Sequence, residues 1–160
     1  MFVIIFMYIV LDSGVLGMIS NPHPERPQTI ACNQWFEQMV LAGHTVCLPE
    51  IIDYEQRRIF EHGNWKESIE RLDSLKKDLM YLPINTEVML TAAKFWAEAR
   101  KNDSDAPKKP KNQRLDIDVI LAAQAKVNIK YAGSVIIATS NVRDLAPFAV
   151  AREWQNIAIK

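Results

Sequence analysis

Carboxylates recur in this sequence at positions where they could act together. Asp12 follows one apolar run, Asp144 follows another, and Asp118 stands at the start of an alanine-rich apolar segment. Because parallel strands bring their carboxyl ends to one edge of a sheet, we expect these side chains to lie near each other. Such oxygen ligands suit Mg²⁺ or Mn²⁺, and cations held between them can activate water and stabilise the leaving oxygen in phosphodiester hydrolysis. The pattern therefore predicts a divalent-metal site with hydrolytic chemistry.

A fourth acid, Glu55, interrupts an apolar face of a helix that we expect over residues 50–62. One stripe of this helix is apolar apart from the glutamate: Ile51, Ile52, Glu55 and Ile59. The opposite stripe is charged and expected to be solvated: Glu50, Asp53, Arg57 and Glu61. An unpaired charge among isoleucines would be costly. Glu55 therefore either pairs with Arg58, which is close on the helix surface, or projects into a polar site at the sheet edge.

Residues 115–125 predict a helix with two aspartates at its start. Asp116 fits an N-cap, where its side chain would accept a hydrogen bond from a free N–H, and Asp118 would lie in the first turn, where the helix dipole favours negative charge. Residues two apart on a helix point about 200° away from each other, so the two carboxylates cannot share one face. We assign the working role to Asp118. An ordinary capped amphipathic helix is the alternative.

A polar stretch over residues 102–114 precedes this helix. It carries a cluster of basic residues, Lys108, Lys109, Lys111 and Arg114. The stretch is either a flexible solvated loop or a surface that contacts the phosphates of a nucleic acid. No aromatic residue interleaves the cluster, so base stacking is not expected there.

The elements that would position these residues begin with an apolar, β-branched run over residues 1–11, typical of a strand buried on both faces. This run is too short to span a bilayer and lacks the basic flank of a signal peptide, and Met7 is an alternative start. Asp12 then opens a turn with Ser13 and Gly14. On the residues alone, Asp12 is a turn former, a helix cap or a site residue.

The rest of the chain alternates helix and strand, which predicts the α/β class. The further expected elements are a helix over 28–42, a strand over 45–49, a helix over 65–79 capped by Asn64, a strand over 81–84, a helix over 87–101 capped by Asn85 or Thr86, a strand over 133–139 and a last strand or turn over 149–159. The helix over 87–101 is expected to face the core with Val88, Leu90, Ala92, Phe95 and Trp96.

Composition limits the classes of function. The 160 residues suit one domain, which we expect to comprise residues 1–160. Nineteen basic and nineteen acidic residues leave no net charge, so nothing draws the whole chain to nucleic acid or to a membrane, and we expect no membrane association. Cys32 and Cys47 form no CxxC pair and no disulfide framework, which favours a reducing compartment and a cytoplasmic protein.

Four segments in this order resemble a PIN-domain ribonuclease, in particular the toxins of VapBC-type toxin–antitoxin modules. They are Ile9-Val10-Leu11-Asp12-Ser13, Glu55 with Arg57 and Arg58, Asp118-Val119-Ile120-Leu121-Ala122-Ala123, and Thr139-Ser140-Asn141-Val142-Arg143-Asp144. The resemblance covers nearly the whole chain. It implies a three-layer α/β/α sandwich around a central, mostly parallel five-stranded sheet. It also implies Mg²⁺- or Mn²⁺-dependent cleavage of single-stranded or structured RNA, and a homodimer that a small antitoxin protein neutralises.

Carried over by position, the resemblance makes Asp12, Glu55 and Asp118 the principal acids and Asp144 a later one. It has Asp118 hold the metal, Asp12 share it, and Glu55 orient the metal or a water molecule. Four polar residues would support these acids, namely Ser13, Asp116, Thr139 and Asn141. Asp116 would either ligate a second metal or cap its helix, and Ser13 departs mildly from the family because threonine is common there.

Two other classes of function fit parts of the sequence. In the first, Asp12 is the nucleophile of a phosphotransfer or phosphatase domain, since strand-end aspartates take that role in other α/β folds. Gly14 weakens the phosphatase version because a second aspartate would be expected there. In the second class, a PIN scaffold binds RNA or a protein partner without cutting it. Metal-dependent cleavage that is lost in chelator would separate a nuclease from such a scaffold.

Overall fold

The computed structural model describes residues 5–101, 112–130 and 134–159. In chain order the elements are β1 (Tyr8–Leu11), α1 (Ser13–Ile19), α2 (Pro27–Leu41), β2 (Thr45–Pro49), α3 (Glu50–Gly63), α4 (Lys66–Asp78), β3 (Met80–Leu82), α5 (Thr86–Lys101), α6 (Asn112–Asn128), β4 (Val135–Ala138), α7 (Val142–Leu145) and β5 (Ala151–Arg152), with a 3₁₀ turn over Trp154–Asn156. The α/β class is confirmed. Within these described ranges, no helix has the length and apolar composition that a membrane crossing requires.

The strands form one sheet in the order β3-β2-β1-β4-β5, and every neighbouring pair is parallel. The central strand β1 is the most deeply buried, with Ile9, Val10 and Leu11 fully inaccessible to solvent. A strand covered on both faces must be apolar at every position, which explains why this run is continuous and not alternating. The expected central five-stranded sheet is therefore confirmed, and it is entirely parallel.

Helix α6, which carries Asp118, packs between two groups of apolar side chains. Towards α5 it shares a small second core, formed by Val88, Ala92, Val119, Ala123 and Val127. Its residues Leu121 and Ala125 belong to the main core under the sheet. Alanine and valine are short, so the helix backbones can approach closely and leave little freedom for α6 to shift.

Most expected elements are found within a few residues of their expected bounds. The strand over residues 45–49 has the expected bounds, whereas the first strand is shorter and begins only at Tyr8. Residues 1–4 of the first expected strand lie outside the described part of the chain. The same holds for residue 133 of the strand expected over 133–139. Helix α1 was not expected, because the residues after Asp12 were interpreted as a turn.

Two expected helix starts are wrong. Asn64 does not cap α4 but ends α3 in the left-handed conformation, with φ of 54°, and α4 begins at Lys66. Asparagine tolerates this conformation, which is common where helices end. Asp116 is not an N-cap either, because α6 already begins at Asn112. Asp118 consequently lies in the second turn of α6 and not in the first.

The helix start after β3 is confirmed, since Asn85 Oδ1 accepts a hydrogen bond from the Val88 N–H at 2.9 Å. The core-facing stripe of α5 is narrower than expected, because Leu90 is 62% exposed and Trp96 is 38% exposed. Leu90 lies two residues after the buried Val88 and hence about 200° around the helix, which turns it to solvent. Phe95 does pack inward, 5.3 Å from the ring of Phe148.

Candidate active site

The register of β1 and β4 places Asp12 beside Thr139. Leu11 pairs with Ala138 at the ends of the two parallel strands, so the next residue of each strand emerges at the same edge. The Asp12 N–H donates to the Ala138 carbonyl at 3.0 Å, and Thr139 Oγ1 donates to Asp12 Oδ2 at 2.5 Å. Both side chains are buried. The sheet edge thus holds one carboxylate in a fixed orientation.

Asp12 also caps α1. Its Oδ1 accepts a hydrogen bond from the Ser13 backbone N–H at 2.7 Å, so each carboxylate oxygen has its own partner. The interpretation of Asp12 as a helix cap is confirmed. In this role its carboxylate still lies at the edge of the sheet. Helix α1 comes close to the end of β4, because a Cβ added to Gly14 would lie only 3.2 Å from Ser140 Oγ. A Cβ at this glycine would require the Ser140 hydroxyl to move by a few tenths of an ångström.

The loop after β4 connects Asp12 to Asp144. The Asn141 backbone N–H donates to Thr139 Oγ1 at 2.8 Å, and Asn141 Nδ2 donates to Asp144 Oδ2 at 2.7 Å. One residue therefore contacts both the hydroxyl that holds Asp12 and the carboxylate of Asp144. Asp144 itself is exposed, in the first turn of α7. The structure thus brings the expected supporting residues Thr139 and Asn141 into contact with the acids.

Asp118 approaches the same place from α6. Its side chain is buried, and burial together with the charges of Asp12, Asp144 and Glu55 raises the pKa of Asp118 to about 7, against the opposing charge of Arg114. An aspartate with this pKa keeps its proton for part of the time at neutral pH. Neighbouring charges have such effects only at short range. The charges of the other three expected acids therefore act on Asp118, and the shared role of the four stays a prediction.

Glu55 is half-buried on α3 and belongs to the same region. Burial and the charge of Asp12 raise the pKa of Glu55, whereas Arg58, hydrogen bonding by the Ser13 side chain and the charge of Arg114 lower it. The charges of Asp12 and Arg58 therefore both act on Glu55, and its two interpretations stay predictions.

The opposite stripe of α3 is not solvated as expected, because Asp53 is only 4% exposed. Arg57 Nε donates to Asp53 Oδ1 at 2.9 Å, and the Tyr81 hydroxyl donates to Oδ2 at 3.3 Å. Arg57 also donates to Asp73 of α4 at 2.8 Å. These contacts make the buried charge tolerable and anchor α3 to α4 and β3. Ile59, which was expected in the core, is 47% exposed instead.

The remaining expected site residues are exposed on α6 or lie outside the described chain. Asp116 is exposed on α6, two residues from the buried Asp118, and its role as ligand of a second metal stays a prediction. Arg114 is exposed in the first turn of α6, and its charge acts on Asp118 and Glu55. The other members of the basic cluster, Lys108, Lys109 and Lys111, are not among the residues that the structure describes.

One positioning residue that the sequence did not single out is Gln124, which is fully buried on α6. Its Nε2 donates to the Leu82 carbonyl at 2.5 Å, and its Oε1 accepts from the Ile51 N–H at 3.3 Å. Gln124 thereby ties the helix of Asp118 to the helix of Glu55. A lone amide within an alanine-rich helix was the available signal, since a buried polar group needs partners.

The donor set of this region suits a hard divalent cation, which prefers carboxylate oxygens and would relieve the repulsion that raises the pKa of Asp118. Each oxygen of Asp12 accepts one hydrogen bond and retains a second lone pair. Among the described residues, however, no three or more His, Cys, Asp or Glu side chains are gathered closely enough to hold a metal ion as they stand. A bound cation would therefore have to draw the acids closer together.

The fold is similar to those of two solved VapBC structures. VapBC2 from Rickettsia felis, bound to a DNA fragment from its promoter, aligns with a TM-score of 0.65 and 15% identity over 92% of this chain and 99% of that chain. VapBC-1 from nontypeable Haemophilus influenzae aligns with a TM-score of 0.59 and 16% identity over 94% and 100%, respectively. No family model and no curated protein sequence matches this chain. The similarity establishes a VapC-like PIN-domain fold.

Proposed function

We propose that this protein is a Mg²⁺- or Mn²⁺-dependent endoribonuclease and the toxin of a toxin–antitoxin pair. The observation that carries the proposal is the interaction of the buried Asp118 with the charges of Asp12, Glu55 and Asp144, which come from three other parts of the fold. Bringing carboxylates together is unfavourable because they repel one another, so a fold gains no stability from this arrangement. Neighbouring acids with raised pKa values, here Asp118 and Glu55, are typical of a functional site.

In this proposal, Asp118 and Asp12 hold the cation, and Glu55 orients the cation or the attacking water. When bound, the cation would supply a water of lowered pKa for attack on phosphorus and would neutralise charge on the leaving 3′ oxygen, so that the products carry 5′-phosphate and 3′-hydroxyl ends. Thr139 keeps the Asp12 carboxylate in one orientation through its 2.5 Å hydrogen bond. Asn141 does the same for Asp144, which adds negative charge at the exposed rim.

The partners follow from the fold and from the charges. Two VapBC structures share this fold, which supports a small antitoxin as the binding partner. We propose further that the protein is a cytoplasmic homodimer with one domain over residues 1–160.

The basic cluster Lys108, Lys109, Lys111 and Arg114 would contact RNA phosphates, so its replacement by glutamine should flatten the salt dependence of RNA binding. An unchanged salt dependence would remove this role.

The experiment is cleavage of single-stranded RNA by purified protein, with Mn²⁺ and with chelator. We expect cleavage only with the metal, and loss of cleavage in an Asp118→Asn protein, because asparagine keeps the shape but lacks the anionic ligand. Asp78→Asn is the matched control, since Asp78 is an exposed aspartate at the end of α4. A folded Asp118→Asn protein that cuts as fast as the parent would refute the assignment.

A non-catalytic PIN scaffold that binds RNA or a protein is the second candidate. It is favoured by one observation, namely that the described acids are not gathered at metal-binding distance. Such a scaffold would bind RNA without cutting it at any Mg²⁺ or Mn²⁺ concentration. The same experiment therefore separates the two candidates.

A further inference from the structure

An aromatic ring paired with a cation lies on the exposed face of α3, directly beside Glu55. Tyr54 is 56% exposed, and the Arg58 guanidinium lies 5.3 Å from the centre of its ring. Residues four apart share one side of a helix, so the two side chains form one continuous surface. A ring this exposed is not part of the core, and a planar group can reach it from solvent.

Arg58 connects this surface to the acids. Its charge acts on Glu55, the residue after Tyr54, and Arg114 acts on the same carboxylate from α6. Two arginines from different helices therefore flank the region where the proposed reaction occurs. Guanidinium groups pair well with phosphates, and exposed aromatic rings stack on bases that are not paired in a duplex.

We propose that Tyr54 stacks on an unpaired nucleobase next to the scissile phosphate while Arg58 binds an adjoining phosphate. This inference rests on the proposed function and deepens it. In a duplex the bases are enclosed in the helical stack and cannot reach the ring, so the ring selects for unpaired RNA. A strand bound at the acids must also pass the neighbouring face of α3, where the arginine charges are complementary to its backbone.

Binding can be measured by fluorescence anisotropy in an Asp118→Asn background, which keeps the RNA intact. The probes are a single-stranded oligoribonucleotide and the same sequence in a duplex. We expect Tyr54→Ala to weaken single-strand binding about 5- to 150-fold, as for loss of one stacked base, and to leave duplex binding unchanged. Tyr54→Phe keeps the ring and should bind like the background protein. Arg58→Gln should lower the slope of log affinity against log salt by about 0.7.

Trp96→Ala is the matched control. Trp96 is also an exposed aromatic residue under an arginine, with the Arg100 guanidinium 5.0 Å from its ring, but it lies on α5. Its loss should leave RNA affinity unchanged. A control variant that binds as weakly as Tyr54→Ala would overturn the inference, because the effect would not be specific to the face beside Glu55.

The outcomes separate this inference from the proposed function. If Tyr54→Ala binds single strands like the background protein, the inference is wrong even when the parent cuts RNA. If Tyr54→Ala keeps its RNA affinity but no longer self-associates in sedimentation, this face of α3 binds a second copy of the chain. That result would also overturn the inference. A parent protein that binds single strands through Tyr54 but never cuts them in Mn²⁺ would keep the inference and refute the nuclease.

Discussion

Replacing Asp118 with asparagine should stabilise the metal-free protein at neutral and alkaline pH. Burial and neighbouring carboxylates place the pKa of Asp118 at about 7, well above the ordinary value of 3.8. Because the folded state holds this proton more tightly than the unfolded state, the cost of ionising Asp118 is absent below pH 3.8. The cost grows as the pH rises from there to about 7 and is fully present above that value.

The size of the effect follows from the same pKa. A tenfold change in proton affinity corresponds to about 1.4 kcal/mol, so the cost approaches about 4 kcal/mol above pH 7. Asparagine has nearly the same shape and cannot ionise. We therefore expect Asp118→Asn to raise the free energy of unfolding by about 2 to 4 kcal/mol at pH 8, and to change it little at pH 4.

The assay is urea unfolding of both proteins in chelator between pH 4 and 8.5. The exposed Asp78→Asn variant should change stability by no more than about 0.5 kcal/mol at any pH. An Asp118→Asn protein that is less stable than the parent at pH 8, or equally stabilised at pH 4 and pH 8, would refute the reasoning. Added Mn²⁺ should stabilise the parent and not the variant, since only the parent keeps the proposed ligand.

Two other predictions concern the contacts that position the acids. Thr139→Val removes the hydrogen-bond donor to the buried Asp12 and should lower the free energy of unfolding, measured in urea, by about 1 to 3 kcal/mol. Thr139→Ser keeps the hydroxyl and should retain most of the parent's stability. If both variants lose the same stability, the hydroxyl is not the cause. Arg57→Gln leaves Asp53 buried without its cation and should cost about 3 kcal/mol, and a neutral result would mean that this pair does not anchor α3.

The backbone around the site could be predicted from the sequence because parallel topology constrains it strongly. A continuous apolar run such as the one before Asp12 has to lie in the middle of a covered sheet. A second such run before Thr139 then has to end at the same edge, and β1 and β4 are indeed neighbours. The expectation that Asp12 and Asp144 approach each other needs only this topology and no knowledge of side-chain partners.

The side-chain environment could not be predicted in the same way, because it depends on residues distant in the chain. Asp53 was expected in solvent from the helical period alone, yet Tyr81 of β3 and the Asp53–Arg57 pair make its burial possible. The pair lies at the spacing of a helical ion pair, which was the one local signal. The sequence predicts that the helix of Asp118 begins at residue 115, whereas α6 begins at Asn112. Its first residues are polar and form no apolar stripe, so the helical period gives no signal for them.

The contrast between Asp53 and Asp118 bears on whether the acids serve stability or function. Both are buried aspartates on helices. Asp53 is held by a direct ion pair with Arg57 and a tyrosine hydroxyl, the arrangement expected where a buried charge serves only the fold. For Asp118, burial and the charges of three further carboxylates raise the pKa to about 7 against the opposing charge of Arg114. The same chain therefore neutralises one buried acid with an arginine and leaves another among acidic charges, and perturbed acids of the second kind are typical of a functional site.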